Sequence, residues 1–279
     1  MRITILIALF FITHSLFSQR CSDIMEKMFA SIDQLQTASF HIIAKERFFD
    51  QYKIEKGFYK LRKNPYAIYY KQLIPPSYAE VLMNDKHKIN ALVYPNSFPF
   101  TSIKLSPYGE KLRERQHHNL YQAGFDYFKM ILSEMKKKYS TEWDDVCEYH
   151  NLVLIKNKLC YKLTLINPYY KLITYTLDKK TTAQKLALKL NLCDYKIIEL
   201  NPTIKSIFVT IPTKSTLVLP TDYAQKITLY IDQNNYLPIK IEVYDEKGLF
   251  EEYLFENIKI NPTFTDKDFD ENNPEYGFK

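Results

Sequence analysis

The sequence predicts an α+β fold, in which a curved antiparallel sheet wraps over helices as an open half-barrel and is interrupted by a small β-α-α-β unit. Three observations point there. Aromatic residues are abundant, with 23 Tyr, 18 Phe and one Trp making 15% of 279 residues, and Tyr and Phe favour half-buried strand faces. Alternating apolar and polar residues fill 38–94 and 152–166 and return over 227–258, the period of strands with one face in a core. Between these stretches, Thr182 to Pro220 changes to helical spacing.

The elements follow in order. Met1-Arg2 and the apolar run Ile3 to Ile12 read as an export signal over residues 1–19, because ten apolar residues are too few to span a bilayer. Ser22 caps a helix with Met25, Met28, Phe29, Ile32 and Leu35 on one face. Strands are expected at Phe40–Phe49, Ile54–Leu61, Tyr66–Lys71, Tyr78–Asn84 and Ile89–Tyr94, then a loop from Pro95 to Pro107. Tyr121, Phe125, Phe128, Leu132 and Met135 recur every three or four positions and predict one long helix over 109–138. Two further strands bracket the turn Lys156-Asn157-Lys158. At the end of the chain, Ile227–Ile231, Ile239–Val243 and Phe250–Ile258 form a meander with one greasy face. A sheet this long must twist, which curls it around its helices.

Residues 173–222 do not fit the meander. Tyr175-Thr176-Leu177, a helix with Leu186 and Leu190, a helix with Ile197, Ile198 and Leu200, and a closing Leu217-Val218-Leu219-Pro220 spell β-α-α-β. With Thr182, Ala187 and Leu200-Asn201-Pro202, the stretch resembles a LysM module, the small domain that binds N-acetylglucosamine polymers. That resemblance implies a sugar groove between the loop before the first helix and the loop after the second, carried here by Lys180, Thr181, Thr182, Asn201 and Pro202. The family's glycines are replaced by Lys180-Thr181 and Lys214-Ser215, where bulk narrows the approach to a sugar. The insert then grips peptidoglycan, or serves as structure or as a protein contact.

The rest resembles the LolA/LolB-type lipoprotein carriers, through the N-terminal helix, Gly57-Phe58-Tyr59-Lys60, Lys63-Asn64-Pro65-Tyr66, the hairpin up to Tyr94-Pro95, Leu237-Pro238-Ile239-Lys240 and Tyr253 to Pro262. The combination looks like an exported Bacteroidota-type family of unknown function. The resemblance implies a discontinuous domain over 20–172 and 223–279, an apolar cavity for acyl chains, and the periplasm or cell envelope of a Gram-negative bacterium. Candidate cavity residues are Tyr66, Ile68 and Tyr70, with Phe98 and Phe100 as a greasy lip. Each also has a plainer reading, as core residues or as a plug at the end of the sheet.

Chemistry is sparse. The net charge of +6 is not clustered, whereas a nucleic-acid binder shows a basic patch or stripe. His117 and His118 as helix neighbours point about 100° apart and do not chelate as an i, i+4 pair does. Asp266, Asp268 and Asp270 lack the glycine and terminal Glu of a calcium loop and read as a solvated tail. Lys136-Lys137-Lys138 is a helix C-terminus suited to the helix dipole. Cys160, in the strand after the turn, falls opposite Val153 or Leu154, away from Cys147, while Cys21 and Cys193 have no evident partner. All four cysteines are expected as buried free thiols. No catalytic residue, metal ligand or cofactor is predicted, and the sequence leaves cargo, partner proteins and oligomeric state open.

Overall fold

The computed structural model describes residues 21–278, apart from 76–77, 88 and 99. The export signal expected at 1–19 lies outside the described residues. Helix α1 (21–34) leads into β1 (Thr37–Phe48), β2 (Gln51–Arg62), β3 (Ala67–Gln72), β4 (Glu80–Met83), β5 (Ala91–Tyr94) and β6 (Ile103–Leu105). Helices α2 (Glu110–Arg113), α3 (Asp126–Lys138) and α4 (Trp143–Val146) precede the hairpin β7 (Cys147–Ile155) and β8 (Lys158–Ile166). Next come β9 (Leu172–Thr176), β10 (Thr181–Thr182), α5 (Ala183–Leu190), α6 (Asp194–Leu200), β11 (Thr210–Ile211) and β12 (Thr216–Pro220). The chain closes with β13 (Lys226–Asp232), β14 (Pro238–Asp245) and β15 (Gly248–Ile260).

Eleven strands form one open antiparallel sheet in the order β6-β5-β4-β3-β2-β1-β15-β14-β13-β8-β7. The first and last strands of the chain, β1 and β15, lie side by side at its centre, with Ile43 opposite Leu254. Register shifts interrupt the pairing between Ser39 and His41, and again between Val243 and Tyr244; such bulges increase local twist and help the sheet curl. Its inner face closes on α1 and α3. Met25, Met28, Ile32, Phe128, Ile131 and Leu132 pack there with Phe40, Leu163, Leu229, Ile241 and Phe255 in one core. No helix among the described residues is long and apolar enough to cross a membrane.

Strands β8 and β13 are direct neighbours, Leu163 opposite Leu229, and the segment between them forms separate structure. Strand β9 pairs with β12, Tyr175 opposite Leu217. Leu177, Ala183, Leu186, Ile197, Ile198, Leu217 and Leu219 make a core of their own beneath α5 and α6. Thr182 caps α5 by accepting from the Lys185 amide at 3.2 Å.

Several expectations are corrected. The single helix over 109–138 is broken into α2, a 3-10 turn at Leu120–Gln122, and α3. Gly124 sits at φ +85, and the Asn119 side chain accepts from the Tyr121 amide at 2.9 Å. Such local bonds compete with a continuing helix, so the argument that His117 and His118 diverge on a helix does not apply. The expected loop from Pro95 to Pro107 contains the edge strand β6, which pairs with β5. Cys21 is not a free thiol: it is bridged to Cys147 across 126 residues, where the start of α1 meets the start of β7. Cys160 does lie opposite Val153, and Cys160 and Cys193 are buried and free.

The acidic tail is not merely solvated. Lys60 meets Asp268 at 2.9 Å, Arg62 meets Asp266 at 3.0 Å, and Lys86 meets Asp270 at 2.6 Å. These pairs bring Phe264, Phe269, Tyr276 and Phe278 onto the outer face of the sheet, against Ala67, Tyr69, Leu82 and Leu92. Tyr276 stacks on Tyr69 at 3.8 Å between centroids, and the Gly277 amide donates to Glu80 at 3.0 Å. The charges alone suggested solvation, and it is the interleaved aromatics that make the segment bind the sheet.

Candidate functional site

Strand periodicity builds a cavity on the inner face of the sheet. Ile42, Ala44 and Glu46 alternate along β1, Glu55 and Tyr59 project from β2, Tyr70 from β3, Val81 from β4, and Tyr253 and Phe255 from β15. Leu112, Gln116, His118, Leu120 and Ala123 close the space, and Phe128 of α3 forms its far wall. The volume is about 140 Å³. Gly57 lets the Tyr70 ring lie against β2, since a Cβ there would stand 2.2 Å from Cε2 of that ring.

The polar atoms at one end are paired. The Tyr253 hydroxyl donates to Glu46 at 2.6 Å, and the Tyr70 hydroxyl donates to Glu55. The Gln116 amide donates to Glu55 at 2.8 Å, and the His117 backbone amide to Glu46 at 3.1 Å. Burial raises the Glu55 carboxyl, but Lys53, Tyr70 and Gln116 outweigh it and hold the group below the usual carboxylate range. Burial and the Glu55 charge push the Tyr70 hydroxyl far above its ordinary value, so it stays a donor. Apolar side chains share the lining with Gln116, His118, Asn119 and Gln122, and both carboxylates are hydrogen-bonded.

The segment that covers the cavity is undercut from behind. Between it, α3 and α5 lies a second space of about 200 Å³, lined by Tyr108, Arg113, His117, Tyr121, Tyr127 and Leu188. Residues 112–122 therefore separate two partly empty volumes. Within the segment Arg113, His117 and Asn119 are buried, and Arg113 is anchored to Asp194 at 2.9 Å.

Behind this segment sits a buried polar cluster that sequence reasoning missed. His117 and Glu251 have no exposed side-chain surface, and Nδ1 lies 2.7 Å from the carboxylate. His117 Nε2 lies 2.9 Å from the Arg47 carbonyl, and the Tyr223 hydroxyl donates to Glu251 at 2.9 Å. Ligand atoms of His117, Cys193 and Glu251 all fall within 4.8 Å of one another. Burial raises the Glu251 carboxyl, but His118 and His117 bring it down to about 2. Against burial, the Cys193 sulfur, Glu46 and Glu251 hold His117 above the ordinary histidine range. Burial pushes the Cys193 thiol up. The three residues come from distant stretches, so no local spacing announces them.

The predicted site residues separate. Tyr70 lines the cavity. Ile68 is fully buried in the adjoining core, and the half-buried Tyr66 packs against that core and donates to the Leu120 carbonyl at 2.9 Å. Phe98 and Phe100 are 88% and 54% exposed, and neither borders the cavity. In the insert, a groove of about 280 Å³ is lined by Tyr175, Asp178, Lys179, Thr181, Lys185 and Lys189; Lys180 and Pro202 are exposed beyond that lining. Thr182 is engaged as the α5 cap. Asn201 is buried, donating to Ile197 and Val218 carbonyls at 2.8 Å and accepting from the Val218 amide at 2.9 Å. Its amide holds the unit together. Lys214, at the position where the LysM resemblance has glycine, adopts φ 64.

A family profile described as a protein of unknown function (DUF1571) matches residues 205–278. No curated protein matches. Solved structures similar to this chain include MucB, at 11% identity and a TM-score of 0.43, covering 90% of this chain and 62% of MucB. LprF from Mycobacterium bovis is similar at 9% identity and a TM-score of 0.42, over 88% of this chain and 95% of that one. A LolA superfamily protein from Nitrosomonas europaea is similar at 13% identity and a TM-score of 0.35, over 90% and 97% of the two chains. The chain thus spans less than two thirds of MucB. Function has to be argued from the site itself.

Proposed function

We propose that this is a non-enzymatic, exported envelope protein that takes an acyl chain of a lipid or lipoprotein into the cavity beneath its curved sheet. The observation that carries this reading is an apolar cavity on the inner sheet face covered by one segment, 112–123, with empty space on its other side. A cavity of about 140 Å³ is close to the roughly 150 Å³ that admits a benzene-sized guest, so a longer chain needs the space to widen. Each buried methylene contributes ~0.8 kcal/mol. Ten give roughly 8 kcal/mol, enough for micromolar binding after association costs.

Neither free cysteine among the described residues favours covalent chemistry, since both are buried. Cys193 is buried beside His117 with its thiol pushed up, whereas a reactive cysteine needs thiolate character and access. Peptidoglycan binding through the insert has weaker support, because Asn201 is consumed internally and no residue of the loop after α6 lines the groove. Location in the periplasm or envelope rests on the export signal read from the sequence.

The test is displacement of a fluorescent fatty acid from the full chain. Saturable binding, competed by unlabelled acyl chains and not by N-acetylglucosamine oligomers, is expected. Absence of saturable binding, or displacement by the sugar alone, overturns the reading.

A further inference from the structure

Three electron-pair donors converge behind the cavity from separate parts of the chain. His117 comes from the segment after α2, Cys193 immediately precedes α6, and Glu251 lies in β15. Their ligand atoms lie within 4.8 Å of one another, and all three residues are buried. The tautomer of His117 follows from its neighbours. A carbonyl only accepts, so the nitrogen 2.9 Å from the Arg47 oxygen, Nε2, carries hydrogen. That arrangement is the outer-shell bond that orients a metal-binding imidazole. It leaves Nδ1 facing the Glu251 carboxylate at 2.7 Å, where the ring's second hydrogen bonds the carboxylate and where a metal cation can take that proton's place.

We propose that His117 Nδ1, Cys193 Sγ and a Glu251 oxygen form a site for one divalent cation of zinc type, with His118 completing four-coordination. His118 Nε2 is 3.6 Å from the same Glu251 oxygen, and its buried Nδ1 has no hydrogen-bond partner. One thiolate, two imidazoles and one carboxylate form a donor set that suits Zn²⁺ and excludes Mg²⁺ and Ca²⁺, which take oxygen. Zinc bond lengths place neighbouring donors roughly 3.3–3.7 Å apart in a tetrahedron, so the His117–Glu251 pair opens slightly and the sulfur closes in. Binding displaces the thiol proton and the proton shared by His117 and Glu251. Because the ligands come from the covering segment, the insert and the central strand, the cation pins the three together. The site does not depend on the cavity carrying a lipid.

The experiment refolds the full chain with Co²⁺ and reads metal content and the absorption spectrum. One Co²⁺ per chain with a thiolate-to-cobalt charge-transfer band is expected, displaced by Zn²⁺. Cys193→Ser removes the band, and Cys160→Ala, at the other free thiol, retains it. His118→Ala, at the cavity edge, removes one ligand, keeps the band and binds Co²⁺ more weakly. Folding of each variant is checked by near-ultraviolet circular dichroism; should Cys193→Ser not fold, the wild-type and His118→Ala spectra decide. Refolded wild-type chain that takes up neither Co²⁺ nor Zn²⁺, or that binds Co²⁺ without the thiolate band, overturns the proposal, as does a band that persists in folded Cys193→Ser.

Discussion

The two faces of β3 have been treated differently. On the outer face, Ala67 and Tyr69 are sealed beneath Phe269, Tyr276 and Phe278 of the tail. On the inner face, Tyr70 and its neighbours Tyr59 and Val81 border about 140 Å³ of unfilled space. The chain has aromatic side chains enough to close a sheet face, and does so outside. Protein interiors are close-packed, so a gap kept on one face of a strand whose other face is filled reads as room for a guest. The outer face gives stability, and the inner face holds the space in which the proposed guest would sit.

Substitutions break the comparison in order of expected size. Phe269→Ala removes the fully buried plug of the outer face and costs about 3–5 kcal/mol, read as a fall in the urea midpoint. Loss of lipid binding at unchanged stability would reverse the roles assigned to the faces. The clamp between insert and sheet contrasts with both. Lys196 of α6 meets Asp245 at 2.6 Å, and Arg47 bonds the same carboxylate. Asp245→Ala leaves Arg47 with Glu199 and Lys196 with Glu246, so the cost stays below the roughly 3–5 kcal/mol of a fully unpaired buried charge.

The same carboxylate sets an acid limb. Burial raises the Asp245 pKa, but Arg47 and Lys196 outweigh it and hold it below the ordinary 3.8. A depressed folded value means the stabilisation is complete above the unfolded value and is lost as pH falls through the folded one. Urea midpoints should therefore fall below pH 3.8, and Asp245→Asn should flatten that limb.

On the inner face, Ala44→Phe adds bulk to the cavity wall and should weaken acyl binding tenfold or more, for a stability change of about 1–3 kcal/mol or less. The smallest effect belongs to the insert. Lys214→Gly relieves the left-handed φ of 64 and should stabilise by about 1 kcal/mol, without creating peptidoglycan binding.

Much of this was legible. Strand β14 alternates in burial from Ile239 to Asp245 as its period-two sequence does, and the two helices of the insert follow their apolar spacing. The region around the cavity was not. The stripe through Tyr121, Phe125 and Phe128 mimics one helix, yet Gly124 and Asn119 end it locally, and that break creates the covering segment. Tyr70 was readable as a lining residue because it alternates with Tyr69. Phe98 and Phe100 were misplaced because greasiness in a loop says nothing about which cavity it borders. The Cys21–Cys147 bridge and the His117, Cys193 and Glu251 cluster join residues far apart in sequence, where no spacing rule reaches.

The most direct measurement is native mass spectrometry of the full chain purified from its own envelope beside the Ala44→Phe variant. The account predicts an added acyl-bearing mass on the wild-type chain that the variant lacks while keeping its fold. Wild-type chain of bare polypeptide mass, or equal cargo on both proteins, would contradict it.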